Sequence, residues 1–381
     1  MPTDPESLRI QARDTGAEDW LLWGPYLSDR QWGTVREDYS ADGDAWTSFP
    51  FEQARSRAYR WGEDGLLGIS DQNGLLCFAA AFWNGKDSIL KERAFGLSNP
   101  QGNHGEDIKD YYYHLANTPT HSFMQGLYKY PQQQFPYEQV IAENARRSRL
   151  EQEYELVDTG IFDESRYFDI FVEYAKAGPD DIAIRLRIIN RGPEAAPLTV
   201  APTLWFRNTW SWDLEPAGKP EMHLLPGDQA LVAHCADLPE YHLYAEGHPE
   251  WIFTENETNA QRLYNAQNRT AHVKDAFHDY LVNGLSDAIN PAKIGTKSAA
   301  VYRHTLAPGE EWIVRLRLCR PPKPQPFTQA FDTLFKDREK EHLDHFESLC
   351  PGMPEELSHV MRSATAGLLW SKKFYHYAVS R

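Results

Sequence analysis

Residues 181–190 constrain this chain more than any other stretch. Ile182, Ile184, Leu186 and Ile188 fall at every second position, with Arg185 and Arg187 between them. Side chains alternate across a strand, so this period predicts a strand with one face in a core and the other toward water. Such a strand needs partners on both edges. Residues 167–175, dense in Phe, Ile, Val and Tyr, and residues 198–206 supply them, the latter after the turn residues Asn190-Arg191-Gly192-Pro193. Further strands are expected at 231–234, 242–245, 301–305 and 312–318, with Ala307-Pro308-Gly309-Glu310 as loop chemistry between the last two. Upstream, the apolar bursts Leu66-Leu67-Gly68-Ile69 and Leu75-Leu76-Cys77-Phe78 read as strands between turns, and residues 102–130 are mixed. Many strands at short spacing predict a mainly β chain, a sandwich of antiparallel sheets. Helices are expected in the polar arm over residues 1–20 and over residues 135–155.

The texture changes at Pro321-Pro322-Lys323-Pro324-Gln325-Pro326, where repeated prolines favour an extended, stiff segment. Beyond it Phe327, Phe331, Leu334, Phe335, Leu343 and Phe346 recur near helical spacing. After a break over residues 351–354, so do Leu357, Val360, Met361, Ala364 and Leu368. The division expected is a β region over residues 1–320, a linker over 321–326 and helices over 327–381. The final helix ends in Leu369-Trp370-Ser371-Lys372-Lys373-Phe374-Tyr375-His376-Tyr377, aromatic enough to need a covering partner. That partner is either the sandwich itself or a body outside this sequence.

A net charge of −16, dispersed along the chain, argues against nucleic acid or an anionic membrane as partner. Cys77, Cys235, Cys319 and Cys350 form no Cys-x-x-Cys pair, which is poor spacing for zinc and sparse for a disulfide scaffold. The polar start lacks the order of a signal peptide, and the longest apolar run, residues 75–83, is too short for a bilayer. A cytoplasmic chain without metal or other cofactor is the expectation. Aromatic residues reach 13%. That content serves either a large core or rings that stack on sugars.

Several segments carry a resemblance. They are residues 23–40, beginning Trp23-Gly24-Pro25-Tyr26-Leu27-Ser28-Asp29-Arg30; Arg60-Trp61-Gly62-Glu63-Asp64-Gly65; Phe82-Trp83-Asn84-Gly85; and Gly102-Asn103-His104-Gly105-Glu106-Asp107. Leu204-Trp205-Phe206-Arg207-Asn208-Thr209-Trp210-Ser211-Trp212 and the C-terminal Gly367-Leu368-Leu369-Trp370 stretch belong with them. Together they resemble the N-terminal region of bacterial glucosidases of glycoside hydrolase family sixty-three, the processing α-glucosidases. The resemblance implies a β-supersandwich, the galactose mutarotase-like fold, followed by an (α/α)6 barrel whose first helix is the last one here. It also implies inverting hydrolysis of α-glucosides by two carboxyl groups about 6.5–9.5 Å apart. In the family both come from the barrel, at positions that would lie beyond Arg381, so no catalytic residue is assigned within this chain. The expected role is an accessory domain that supports the barrel, in the same or a separate chain, and helps to shape a pocket for a glucoside or oligosaccharide. The alternative is a stand-alone carbohydrate-binding module.

Residue types suited to such a pocket are Trp61, Glu63, Asp64, Trp83, Asn84, His104, Glu106 and Asp107: rings to stack, amides and carboxylates to grip hydroxyls. The plain structural reading has the rings in the core and the acids paired with Arg36, Arg57 or Arg60. Adjacent acids on a strand would face opposite ways, so at most one of Glu63 and Asp64 is expected in any one pocket. Glu341-His342-Leu343-Asp344-His345 lacks a metal-binding order and reads as polar helix surface. Trp205, Trp210 and Trp212 around Arg207 read as packing or a cation–π contact.

Overall fold

The alternating segment forms the strand Asp181–Asn190 in a computed structural model, which describes residues 4–30, 50–59, 62–98, 101–102, 107–212, 218–228 and 230–374. Its apolar side chains Ile182, Ile184, Leu186 and Ile188 are fully buried. The opposite face keeps its charges in use: Arg185 donates to Glu173 at 2.6 Å, and the Arg187 guanidinium sits 4.2 Å from the Phe171 ring centre.

Two antiparallel sheets dominate the described residues. The larger orders nine strands as Ile294–Gly295, Glu221–Leu224, Leu231–Cys235, Leu238–Ala245, Glu311–Cys319, Asp181–Asn190, Tyr167–Gly178, Phe123–Pro131 and Tyr112–Asn117. The smaller orders six as Trp23–Gly24, Ile69–Asp71, Leu76–Trp83, Ala196–Phe206, Lys297–Leu306 and Glu250–Thr254. Gly96–Leu97 pairs separately with Asp107–Ile108. The inner faces meet in one core, where Phe78, Phe82, Val200 and Leu204 of the smaller sheet pack with Ile170, Ile184, Leu186 and Leu316 of the larger. Each such apolar side chain contributes about 1.5–3 kcal/mol on burial. The fold is therefore the mainly β sandwich of antiparallel sheets expected from the strand pattern, in keeping with the supersandwich that the resemblance implies, with helices added.

Those helices are α1 (Pro5–Asp14), α2 (Phe51–Ala54), α3 (Tyr137–Arg146), α4 (Ala260–Tyr264), α5 (Ala276–Leu281), α6 (Gln329–Leu349) and α7 (Glu355–Trp370). Asp4 caps α1 by accepting from Ser7 N, and Pro5 occupies the first turn, where its missing N–H costs nothing. The helix expected over 135–155 stops at Arg146. Asn144 takes both the N–H and the C=O of Tyr154 on its side chain, at 2.9 Å each, and folds the chain back.

α6 lies on the outer side of the larger sheet, and Arg185 meets its Phe335 ring at 4.2 Å. His342 and His345 are buried there, not surface residues as their polarity suggested. His345 Nδ1 lies 2.9 Å from Asp4 of α1, and the His342 ring packs edge-on against Phe346. α7 packs on the strand Tyr112–Asn117. The four cysteines are free. Among the described residues no helix is long and apolar enough to cross a membrane, and no group of three or more metal-ligating side chains gathers.

Candidate functional site

The outer face of the six-stranded sheet is lined with small side chains where Leu76–Trp83 runs beside Ala196–Phe206, Ala79 facing Thr203 and Ala81 facing Ala201. The segment carrying Glu63 and Asp64 lies directly on this surface. A Cβ on Gly65 would come within 2.6 Å of the Ala79 methyl and 3.0 Å of Trp205, so only glycine permits the approach. Gly65 N donates to Ser28 O at 2.8 Å, and Asp64 forms an isolated bridge with Ser28.

Glu63 and Asp64 both line the resulting cavity, against the expectation that only one would. They sit in irregular backbone, not in a strand, so the alternation rule does not govern them. Ala79, Ala81, Thr203 and Trp205 form the floor and one wall, and Glu92, Arg93, Asn256, Lys274 and Lys297 close it. These polar groups are all buried.

A chain of charges runs through the cavity wall. Tyr59 OH donates to Asp64 at 2.9 Å, and Arg93 Nε donates to the other Asp64 oxygen at 3.0 Å. Arg93 then faces Glu92 at 3.8 Å, and Lys297 Nζ donates to Glu92 at 2.5 Å. Lys274 donates to Arg57 O at 2.8 Å, with its ammonium 3.7 Å from the Tyr59 ring centre. Asn256 donates to Glu63 at 2.8 Å.

The proton affinities follow from this arrangement. Burial pushes the Glu63 carboxyl up, only partly countered by Lys274. Burial likewise pushes Lys274 down, with Glu63 opposing it. Burial would raise Glu92 too, but Lys297 and Arg93 outweigh it and hold Glu92 at about 2. Burial works against the Arg93 charge, and Asp64 more than restores it.

Chemically, the described lining of the cavity is an ionic brace. Its open interior is about 20 Å³, room for about one ordered water and for no sugar ring. Two buried acceptors, Asn256 Oδ1 and Glu92 Oε2, make no hydrogen bond to other described residues. Glycoside hydrolysis needs two carboxyl groups with a sugar between them. Here Asp64 and Glu92 are clamped to Arg93 and Lys297, in a space too small for substrate.

Of the other sequence candidates, Trp83 ends its strand with Nε1 donating to Asp87 O at 2.9 Å, in a shallow depression shared with Pro197, Thr199 and Arg303. Asn84 is buried with its side chain committed. It donates to Pro131 O at 2.7 Å and Gln133 O at 2.8 Å, and accepts from Lys86 N and Asp87 N. Trp61, His104 and Glu106 lie outside the described residues, as do Arg36 and Arg60. Asp107 starts a short strand paired with Leu97, and nothing is described of its side chain.

Among the described residues, Arg93 holds Asp64. Lys91-Glu92-Arg93 reads in sequence as a solvated charge run; only its position between Ile89-Leu90 and Ala94-Phe95 hints at burial. Trp205 lines the cavity, and Trp210 Nε1 donates to Glu257 at 2.9 Å. The cation–π contact of Arg207 is with Phe374, at 5.1 Å.

No family model matches the chain. Among curated proteins, the uncharacterized protein YMR196W of Saccharomyces cerevisiae is 40% identical over 417 residues, covering 98% of this chain. Among solved structures, the polysaccharide lyase BACCELL_00875 aligns over 74% of this chain and 31% of its own, at 10% identity and a TM-score of 0.29. An aldose 1-epimerase candidate from Escherichia coli K12 aligns over 55% of this chain and 67% of its own, at 8% identity and a TM-score of 0.23. Both structural likenesses are loose. The chain spans 38% of the length of the curated relative it matches.

Proposed function

We propose that this chain is the N-terminal β-supersandwich portion of a carbohydrate-active protein resembling the glycoside hydrolases of family sixty-three. It is inactive on its own and seats a helical catalytic barrel, in the same or a separate chain, that acts on α-glucosides. The observation that carries this reading is the outward face of α7. Leu357, Val360 and Leu368 are 57%, 57% and 73% exposed, with Ala364 exposed between them. The opposite face of the same helix buries Ala366 and Trp370. A helix apolar on both sides belongs inside a larger body, and an exposed apolar stripe marks an interaction surface. The length of the yeast relative outside the match supports a multi-part protein, and the small cavity with its ion-paired acids supports the absence of catalysis within the sandwich.

The stripe is testable by light scattering over a wide concentration range. The wild-type chain is expected to self-associate as concentration rises. The variant Leu357→Glu with Leu368→Glu is expected to stay monomeric, with a Tm within about 2 °C of wild type, because exposed positions carry little folding energy. A wild-type chain monomeric at every concentration contradicts this use of α7.

A further inference from the structure

We propose that the groove between α2 and the start of α3 is a second site, one that binds an uncharged sugar ring. This rests on the carbohydrate reading above and adds a location and a ligand class to it. The groove holds about 660 Å³, within the range of small-ligand sites and over thirty times the room in the ionic cavity. Its floor is apolar: Phe51, Ile89, Phe95, Phe135, Tyr137 and Ile141. Its rim carries Glu52, Gln101, Gln134, Glu138 and Gln139, with Arg55 on one wall.

The floor is built to stay rigid. Phe51 stacks on Tyr137 with ring centres 5.6 Å apart, and Phe95 meets Phe51, Phe135 and Tyr137 edge-on within 5.7 Å. Lys91, fully buried beneath them, places its ammonium 3.7 Å from the Phe135 ring centre and 3.2 Å from Asp110. Asp87 accepts from Tyr137 OH at 3.1 Å, from Tyr130 OH at 3.0 Å and from Ile89 N at 3.0 Å. Asn84 ties the Asp87 turn to the 131–133 segment that leads into Gln134 and Phe135. Asn84, a sequence candidate for direct sugar contact, thus acts from behind, as a positioning residue for the groove wall.

The chemistry of the rim selects the ligand. An apolar floor suits the C–H face of a pyranose, and amides and carboxylates around it suit hydroxyls. Gln134 and Glu138 are exposed and make no hydrogen bond to other described residues, so their polar atoms are available. Arg55 is the only cation lining the groove among the described residues, and it meets Glu52 at 2.8 Å, an oxygen that Glu52 shares with Arg262. The carboxylates of Glu52 and Glu138 on the rim disfavour an anionic ligand. Arg55 is about nine-tenths buried, its guanidinium held between Glu52 at 2.8 Å and His278 Nε2 at 3.1 Å, a fixed part of the groove wall.

The test is calorimetric titration of the purified chain with glucose and with maltose, repeated on Gln134→Ala with Glu138→Ala and on Leu368→Glu. Both groove substitutions are at exposed positions and leave the fold intact, which circular dichroism verifies. The expected result is saturable binding by wild type and by Leu368→Glu, and a loss of affinity of about tenfold or more in the double variant. No binding of either sugar by wild type overturns the proposal. Binding of equal strength in the double variant overturns it too, by placing the sugar elsewhere. The light-scattering test of α7 reads a different surface, so failure here and success there condemns the groove alone.

Discussion

Replacing Arg93 by alanine is expected to lower the unfolding free energy by about 3–5 kcal/mol, because it leaves the buried Asp64 carboxylate without its cationic partner. Arg93 and Asp64 are both buried and bonded at 3.0 Å, and Glu92 faces the same guanidinium at 3.8 Å. Urea denaturation gives the number, and a loss under about 1 kcal/mol would mean the brace is not what holds these segments on the sheet. Replacing the pair together, Arg93→Met with Asp64→Leu, is expected to recover part of the loss, since buried ion pairs are far more costly to break than to swap for apolar groups. The same charges set the acid limit. Glu92 is held at about 2 in the folded protein against an ordinary value of 4.5. A depressed carboxyl contributes stability above pH 4.5, and that contribution fades as pH falls toward 2. Loss of Arg93 raises Glu92 and moves acid unfolding to higher pH.

Trp370→Ala is expected to cost a similar amount, about 3–5 kcal/mol, for another reason. Trp370 is fully buried, stacks on His114 with ring centres 5.0 Å apart and 2° between planes, and donates Nε1–H to Ala116 O at 3.0 Å. Truncation leaves a large cavity and an unmatched carbonyl, and it detaches the end of α7 from the strand Tyr112–Asn117. Trp370→Phe keeps most of the burial and is expected to lose only about 1–2 kcal/mol more than the hydrogen bond it forfeits. A Tm for Trp370→Ala equal to wild type would show that α7 is loosely attached, and would remove the reason to treat its outer stripe as a fixed docking face.

These two sites also mark how far the sequence could be read. The strand Asp181–Asn190 was legible to the residue, because one face is core and the other carries arginines. Leu76–Trp83 was legible as an apolar run for a different reason: Phe78 and Phe82 enter the inter-sheet core while Ala79 and Ala81 are covered on the outer face. Phe123–Pro131 was not, since Gly126 and Lys129 interrupt its pattern. Gly126 is required there, as a Cβ would come 2.6 Å from Leu67, and Lys129 bonds Asp169 across the strand pair at 2.7 Å. Glu63 and Asp64 were legible as candidates by type, but their partners Arg93, Asn256, Lys274 and Lys297 arrive from distant segments, and no spacing rule encodes that. The aromatic end of the chain divides in a way composition cannot express. Trp370 turns inward, while Leu357, Val360 and Leu368 on the same helix turn out. The groove escaped for a related reason: its rim is glutamine and glutamate from three separate segments, ordinary surface residues until Asn84 and Asp87 fix the wall behind Gln134.

The most direct test of the central claim is glucose release from a panel of α-glucosides by the purified, folded chain, with Glu63→Gln and Asp64→Asn alongside. The account predicts no turnover above buffer for any of the three proteins, because the buried acids are braced and have no room for substrate. Turnover by the wild-type chain that disappears in either variant would place catalytic groups inside the sandwich and contradict it.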